Sequence, residues 1–87
     1  MKEDEKKFFI TCIKYNLSNP YAYSIRDIIN FLSEFINYKR CWYLLRKWVN
    51  KGFYNYGTVE DLGWFETDKL TGEYLKIYNK LAQNNEV

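Results

Sequence analysis

Between Phe35 and Val59 the chain carries five basic side chains, Lys39, Arg40, Arg46, Lys47 and Lys51, and not one acid. The flanks are different: residues 1–34 hold equal numbers of both signs, and residues 60–87 hold three more acids than bases. The net charge of +2 is therefore the balance of one basic segment against one acidic end. A clustered excess of cations is what phosphate binding requires, because each neutralised phosphate releases a condensed counterion. Arg can meet a guanine edge with two hydrogen bonds and Asn an adenine edge, while Lys and Tyr suit phosphate oxygens. Spacing decides whether such groups act together. At 100° per residue, Cys41, Leu44, Leu45 and Trp48 share one face of a helix, with Val49 and Trp42 on its flank. Lys39, Tyr43, Arg46 and Asn50 lie opposite, with Arg40 and Lys47 beside them. The chemistry is gathered on one side of one helix.

Other chemistries are excluded by composition. The chain has no His, and its only cysteines are Cys12 and Cys41. A structural zinc site takes four Cys or His ligands, and Ser-His or Cys-His nucleophile pairs need an imidazole. The four glycines, Gly52, Gly57, Gly63 and Gly72, have neither Walker nor dinucleotide spacing. The expectation is no enzyme, no metal and no cofactor. Glu60, Asp61, Glu66 and Asp68 read as solvated acids rather than a divalent-cation site. The cysteines are expected as two small buried thiols, although a single disulfide is open to them. No apolar run approaches the roughly 20 residues that span a bilayer, and the charged stretch from Lys2 to Lys7 leads into a helix, so the expectation is a cytoplasmic protein without a membrane partner. Length implies one domain over 1–87, and three Trp, nine Tyr and six Phe supply its apolar area.

The basic face needs a scaffold, and the periodicity predicts one. A first helix runs from about Asp4 to Tyr15 on Phe8, Phe9, Cys12 and Ile13, behind acids in its first turn, and stops before Asn19-Pro20. Tyr21 to Tyr23 is a short extended stretch. Ser24, with Asp27 three residues on, caps a second helix whose stripe is Ile25, Ile28, Ile29, Leu32 and Ile36. After a break at Ile36 to Tyr38, Asn37 caps the third, basic helix and Gly52 stops it. Phe53 to Thr58 and Trp64 to Thr67 read as two strands of a hairpin around a loop from Val59 to Gly63. A last helix begins between Thr67 and Thr71, with Leu70, Tyr74, Ile77, Tyr78 and Leu81 on one face, and 83–87 form a polar tail.

This order, α+β and mostly helical, resembles the winged helix-turn-helix fold of small transcriptional regulators of the MarR and PadR type. The resemblance covers residues 8–82: a three-helix core, a two-stranded wing and a C-terminal helix. It rests on Leu44-Leu45-Arg46-Lys47-Trp48-Val49-Asn50-Lys51-Gly52-Phe53, which looks like the end of a recognition helix and the glycine that opens a wing. It rests also on Leu70-Thr71-Gly72-Glu73-Tyr74-Leu75, similar to the helix start that follows the wing. The small size is similar to that of regulators encoded by viruses, plasmids or prophages. The resemblance implies a regulator that binds double-stranded DNA with its third helix in the major groove. Lys39, Arg40, Tyr43, Arg46, Lys47, Asn50 and Lys51 are then the contact set, joined by Asn55 and Tyr56 from the first wing strand. It implies a homodimer, with Ile10, Leu17, Leu75 and Tyr78 on the terminal helices as surplus apolar groups.

The wing tip departs from that pattern. A wing that enters the minor groove presents Arg or Lys, and this one offers Glu60 and Asp61. Either the wing stays off the DNA, with Tyr54, Asn55 and Tyr56 near the backbone, or the domain binds protein. The alternative function is an interaction module, such as a viral or phage factor that inhibits a host protein, which the tyrosine surplus suits. RNA binding by stacking on those rings is a third reading.

Overall fold

The computed structural model describes residues 1–18, 23–57 and 62–84. Helix α1 spans Glu3–Ser18, a turn longer than the apolar stripe alone predicts. Its inward face is Phe8, Phe9, Cys12 and Ile13, and one turn earlier the same face carries the buried Glu5. Strand β1 (Tyr23–Ser24) leads into α2 (Ile25–Phe31), whose cap is as expected: Ser24 Oγ accepts the Asp27 amide at 3.2 Å.

Helix α2 ends before the expected Ile36. The amide and the hydroxyl of Ser33 both donate to the Asn30 carbonyl, at 3.2 and 2.7 Å, which tightens the chain to a three-residue turn and ends the helical ladder. The amides of Phe35 and Ile36 then both reach the Leu32 carbonyl at 2.9 Å, so the turn keeps Leu32 and Ile36 in the core. Helix α3 (Tyr38–Asn50) starts at Asn37, whose Oδ1 accepts the amides of Lys39 and Arg40 at 2.9 and 3.3 Å. It ends at Gly52, where φ is +81°. The Phe53 amide returns to the Trp48 carbonyl at 2.9 Å and the Gly52 amide to the Val49 carbonyl at 3.0 Å, a Schellman closure.

Strands β2 (Tyr54–Asn55) and β3 (Leu62–Phe65) pair antiparallel, Tyr54 opposite Phe65 and Asn55 opposite Trp64. Both differ from the predicted Phe53 to Thr58 and Trp64 to Thr67. β3 begins earlier and takes Gly63 out of the loop, because β1 pairs with its other edge, Tyr23 opposite Gly63. The sheet thus has the order β1-β3-β2, one strand more than the wing alone. Tyr54 is a further correction: its ring is buried, edge-on to Phe65 at 5.0 Å, rather than on the surface. Glu60 and Asp61, on which the reading of the wing tip rests, lie outside the described residues. A 3-10 turn at Thr67–Lys69 precedes α4 (Gly72–Asn84), which lays Tyr74, Ile77, Tyr78 and Leu81 on the core below Leu70. Leu17 also packs there, so of the four groups expected to be surplus, Leu17 and Tyr78 serve the core. Ile10 is half-buried and Leu75 is exposed.

All the helices contribute to one apolar cluster, and Trp48 is at its centre. Fully buried, its indole lies 4.9 Å from the Phe8 ring, 5.6 Å from Phe9 and 5.7 Å from Phe65. Through that side chain α3 is held against α1 and the sheet. The inner face of α3 is fixed, and its outer face is presented on a rigid support. Among the described residues, no helix is long and apolar enough to cross a membrane.

Candidate nucleic-acid interface

Two shallow grooves lie along the outer face of α3. The first, of about 290 Å³, is lined by Tyr38, Lys39, Trp42, Tyr43 and Arg46. The second, of about 340 Å³, is lined by Tyr43, Arg46, Lys47, Asn50 and Lys51. Tyr43 and Arg46 form the ridge between them, and among the described residues neither groove has an acidic wall. The i, i+4 rows of the helix surface produce this arrangement, stacking Lys39 on Tyr43 and Arg46 on Asn50. Lys39, Tyr43, Arg46, Asn50 and Lys51 are all exposed, as the spacing implies.

Arg40 and Lys47 are placed differently. Arg40 Nε donates to Asp4 Oδ2 at 2.9 Å and its Nη2 to Asp4 Oδ1 at 3.3 Å, a forked pair with the first turn of α1. Lys47 Nζ donates to Glu5 Oε1 at 3.0 Å. Of the five basic groups, two are thus answered by carboxylates of the same chain. Lys39, Arg46 and Lys51 have no ion pair among the described residues, although Lys51 rests 6.0 Å from the Phe53 ring centre. The pairs shift the groups in complementary directions. The Arg40 hydrogen bond holds the Asp4 carboxyl below its ordinary value, and the Glu5 hydrogen bond raises Lys47.

Glu5 is the hub of a larger network. Besides Lys47, its carboxylate accepts the Trp48 indole N–H at 2.9 Å and the Tyr74 hydroxyl at 2.6 Å, both on Oε2. Burial pushes the Glu5 carboxyl up, but the donors from Tyr74, Trp48 and Lys47 outweigh it and hold the carboxyl below its ordinary value. Burial and the Glu5 hydrogen bond both raise Tyr74. One carboxylate therefore ties α1, α3 and α4 together behind the basic face.

Asn55 and Tyr56 sit beyond the Gly52 turn and line neither groove. Asn55 Oδ1 accepts the Gly57 amide at 2.8 Å, and the Tyr56 ring stands edge-on to Tyr54 at 5.8 Å. Two residues absent from the expected contact set, Tyr38 and Trp42, line the first groove. Their rings meet edge-on at 6.1 Å, with the Arg26 guanidinium 5.8 Å from the Trp42 ring centre. Tyr38, Trp42 and Arg46 are spaced at i, i+4 and i+8, so the row that carries Arg46 also carries both rings. Glu5, too, was legible: it extends the stripe of Phe8, Phe9, Cys12 and Ile13 by one turn.

If the face binds a duplex, Asp4→Asn, which releases Arg40, should raise the affinity a few-fold and steepen the salt dependence by about one counterion. Glu3→Gln removes an acid that has no ion pair among the described residues, and it serves as the control. Titrations of both variants at two salt concentrations test the difference. Among the described residues, no three His, Cys, Asp or Glu side chains converge on a metal site. No family model matches this chain, and neither the curated proteins nor the solved structures compared with it contain a match.

Proposed function

We propose that this chain is a winged helix-turn-helix protein that binds double-stranded DNA in a sequence-dependent way and regulates transcription in the cytoplasm. In this reading α2, the 32–36 turn and α3 are the helix-turn-helix, and α3 enters the major groove. The observation that carries it is the pair of grooves sharing Tyr43 and Arg46, with Lys39, Asn50 and Lys51 around them and no acid among the described residues that line them. Arg46 and Asn50 are suited to base edges, and Lys39 and Lys51 to phosphates. Arg40 and Lys47 contribute to the field while held by Asp4 and Glu5, so they orient the face more than they touch the ligand. Arg46→Ala should cost about 2 kcal/mol of affinity for a selected duplex and relax base preference at one position. A binding titration that finds Arg46→Ala and wild type alike on every nucleic acid removes the proposal.

Two half-sites are needed for a tight complex, since a single module of this size makes few base contacts. A homodimer through α1 and α4, with exposed Leu75 in the contact, satisfies that need, and sedimentation with and without duplex tests it. The second reading, a module that docks on a host protein, is favoured by Phe31 and Phe35, which are 65% and 63% exposed at the end of α2 and in the following turn. Substituting both with Ser should leave duplex binding unchanged if the first reading holds.

A further inference from the structure

We infer that the groove at the N-terminal half of α3 reads the 5-methyl group of thymine in the major groove of duplex DNA, an inference that rests on the duplex-binding reading above. Three of the five side chains lining this groove, Tyr38, Trp42 and Tyr43, are aromatic. Its remaining walls are Lys39 and Arg46, and among the described residues no Asn, Gln, Ser, Thr, Asp or Glu lines it. Base edges in the major groove present donors, acceptors and a single apolar feature, the thymine methyl. An apolar wall laid along those edges has that methyl as its match.

The rim chooses between the pyrimidines that carry such a methyl. Lys and Arg donate hydrogen bonds and accept none. Thymine presents the O4 acceptor beside its methyl group, whereas 5-methylcytosine presents an amino donor at the same place. Arg46 fits the first and offers no acceptor to the second, for which the groove's side-chain acceptors among the described residues are the Tyr38 and Tyr43 hydroxyls alone.

The rings are also held in position. The Trp42 ring has the Arg26 guanidinium 5.8 Å from its centre and the Tyr38 edge at 6.1 Å, and Arg40, itself fixed by Asp4, lies 5.4 Å from the Tyr43 ring centre. Rings packed in this way lose little rotamer freedom on binding. With a guanidinium already over one face of Trp42 and of Tyr43, contact by ring edge with a methyl group suits them better than an unpaired base sandwiched between two rings.

The test uses a random-sequence duplex pool enriched on the wild-type protein, then amplified with dTTP, with dUTP, or with dUTP and 5-methyl-dCTP. Wild type should bind the uracil pool about fourfold more weakly for each methyl it seats, the fold-change of one buried methyl group. Adding 5-methyl-dC should not restore the loss. The exposed double variant Tyr38→Ala, Tyr43→Ala should bind the thymine and uracil pools alike, while Arg46→Ala should bind both more weakly at an unchanged ratio. Equal wild-type binding to the thymine and uracil pools overturns the inference and leaves the duplex reading in place, and this comparison needs no variant to fold. Recovery with 5-methyl-dC overturns the choice of thymine. Failure to enrich any duplex, or preference for the single strands, overturns both.

Discussion

Glu5→Ala is expected to lower the unfolding free energy by about 3–5 kcal/mol, the range for removing one partner of a buried charged network. The carboxylate is 2% exposed and accepts three hydrogen bonds, from Lys47, Trp48 and Tyr74. Truncation leaves the Trp48 indole N–H without its acceptor in the middle of the core, and unsatisfied buried donors cost their full desolvation. Because small domains are stable by only about 5–15 kcal/mol, the variant should be close to unfolding at 37 °C. Glu5→Gln should cost less, as it keeps an acceptor oxygen and loses the ion pair. The sign with pH follows from the depressed carboxyl. A folded-state value below the unfolded one makes a contribution that is complete above about pH 4.5 and is lost as the pH falls through the folded value. Asp4, also held low, acts in the same direction. Urea titrations at pH 7 and pH 3 should therefore show a loss for wild type and a smaller one for Glu5→Gln; equal losses remove Glu5 as the source.

Gly63→Ala should cost about 3 kcal/mol, by overpacking the centre of the sheet. Gly63 is buried in β3, and a Cβ there would meet the Asn55 carbonyl oxygen and the Tyr54 ring. The oxygen belongs to the backbone of the paired strand and cannot turn aside, while Tyr54 is itself packed against Phe65. Relief requires β2 and β3 to separate, which loosens the attachment of α3 through Phe53, whose carbonyl accepts the Glu66 amide at 2.8 Å. Thermal unfolding of the single variant reads the cost. An unchanged midpoint would mean that β2 and β3 take in the methyl group without separating.

The parts of this fold that are legible in the sequence are those set by local spacing. Ile25, Ile28, Ile29, Leu32 and Ile36 share a helical stripe, and all are buried, although the helix itself stops at Phe31. Ser24, Asn37 and Gly52 act through hydrogen bonds to residues a few positions away, so their roles can be inferred without the tertiary structure. The remainder depends on long-range pairing. Nothing near β1 in the chain announces that it pairs with β3. Lys39, Arg46 and Asn50 lie on the outer face of α3 as their spacing implies, but periodicity gives a side chain's direction and not its neighbours. Asp4 and Glu5 read as first-turn acids that complement a helix dipole, and their partners lie 36 to 69 residues away. The consequence for the site is quantitative: among the described residues, a segment with five cations presents three without a carboxylate partner.

Cys12 on α1 and Cys41 on α3 are both fully buried free thiols. Burial raises both above the ordinary thiol range, Cys12 well above it, with the neighbouring Cys41 adding to the effect there. The reactive species of a cysteine is the thiolate, and neither sulfur can form it readily or meet a reagent while α1 rests on α3. Alkylation of this chain is thus gated by its own opening: labelling reads the lifting of the first helix from the third without denaturant or an engineered reporter group.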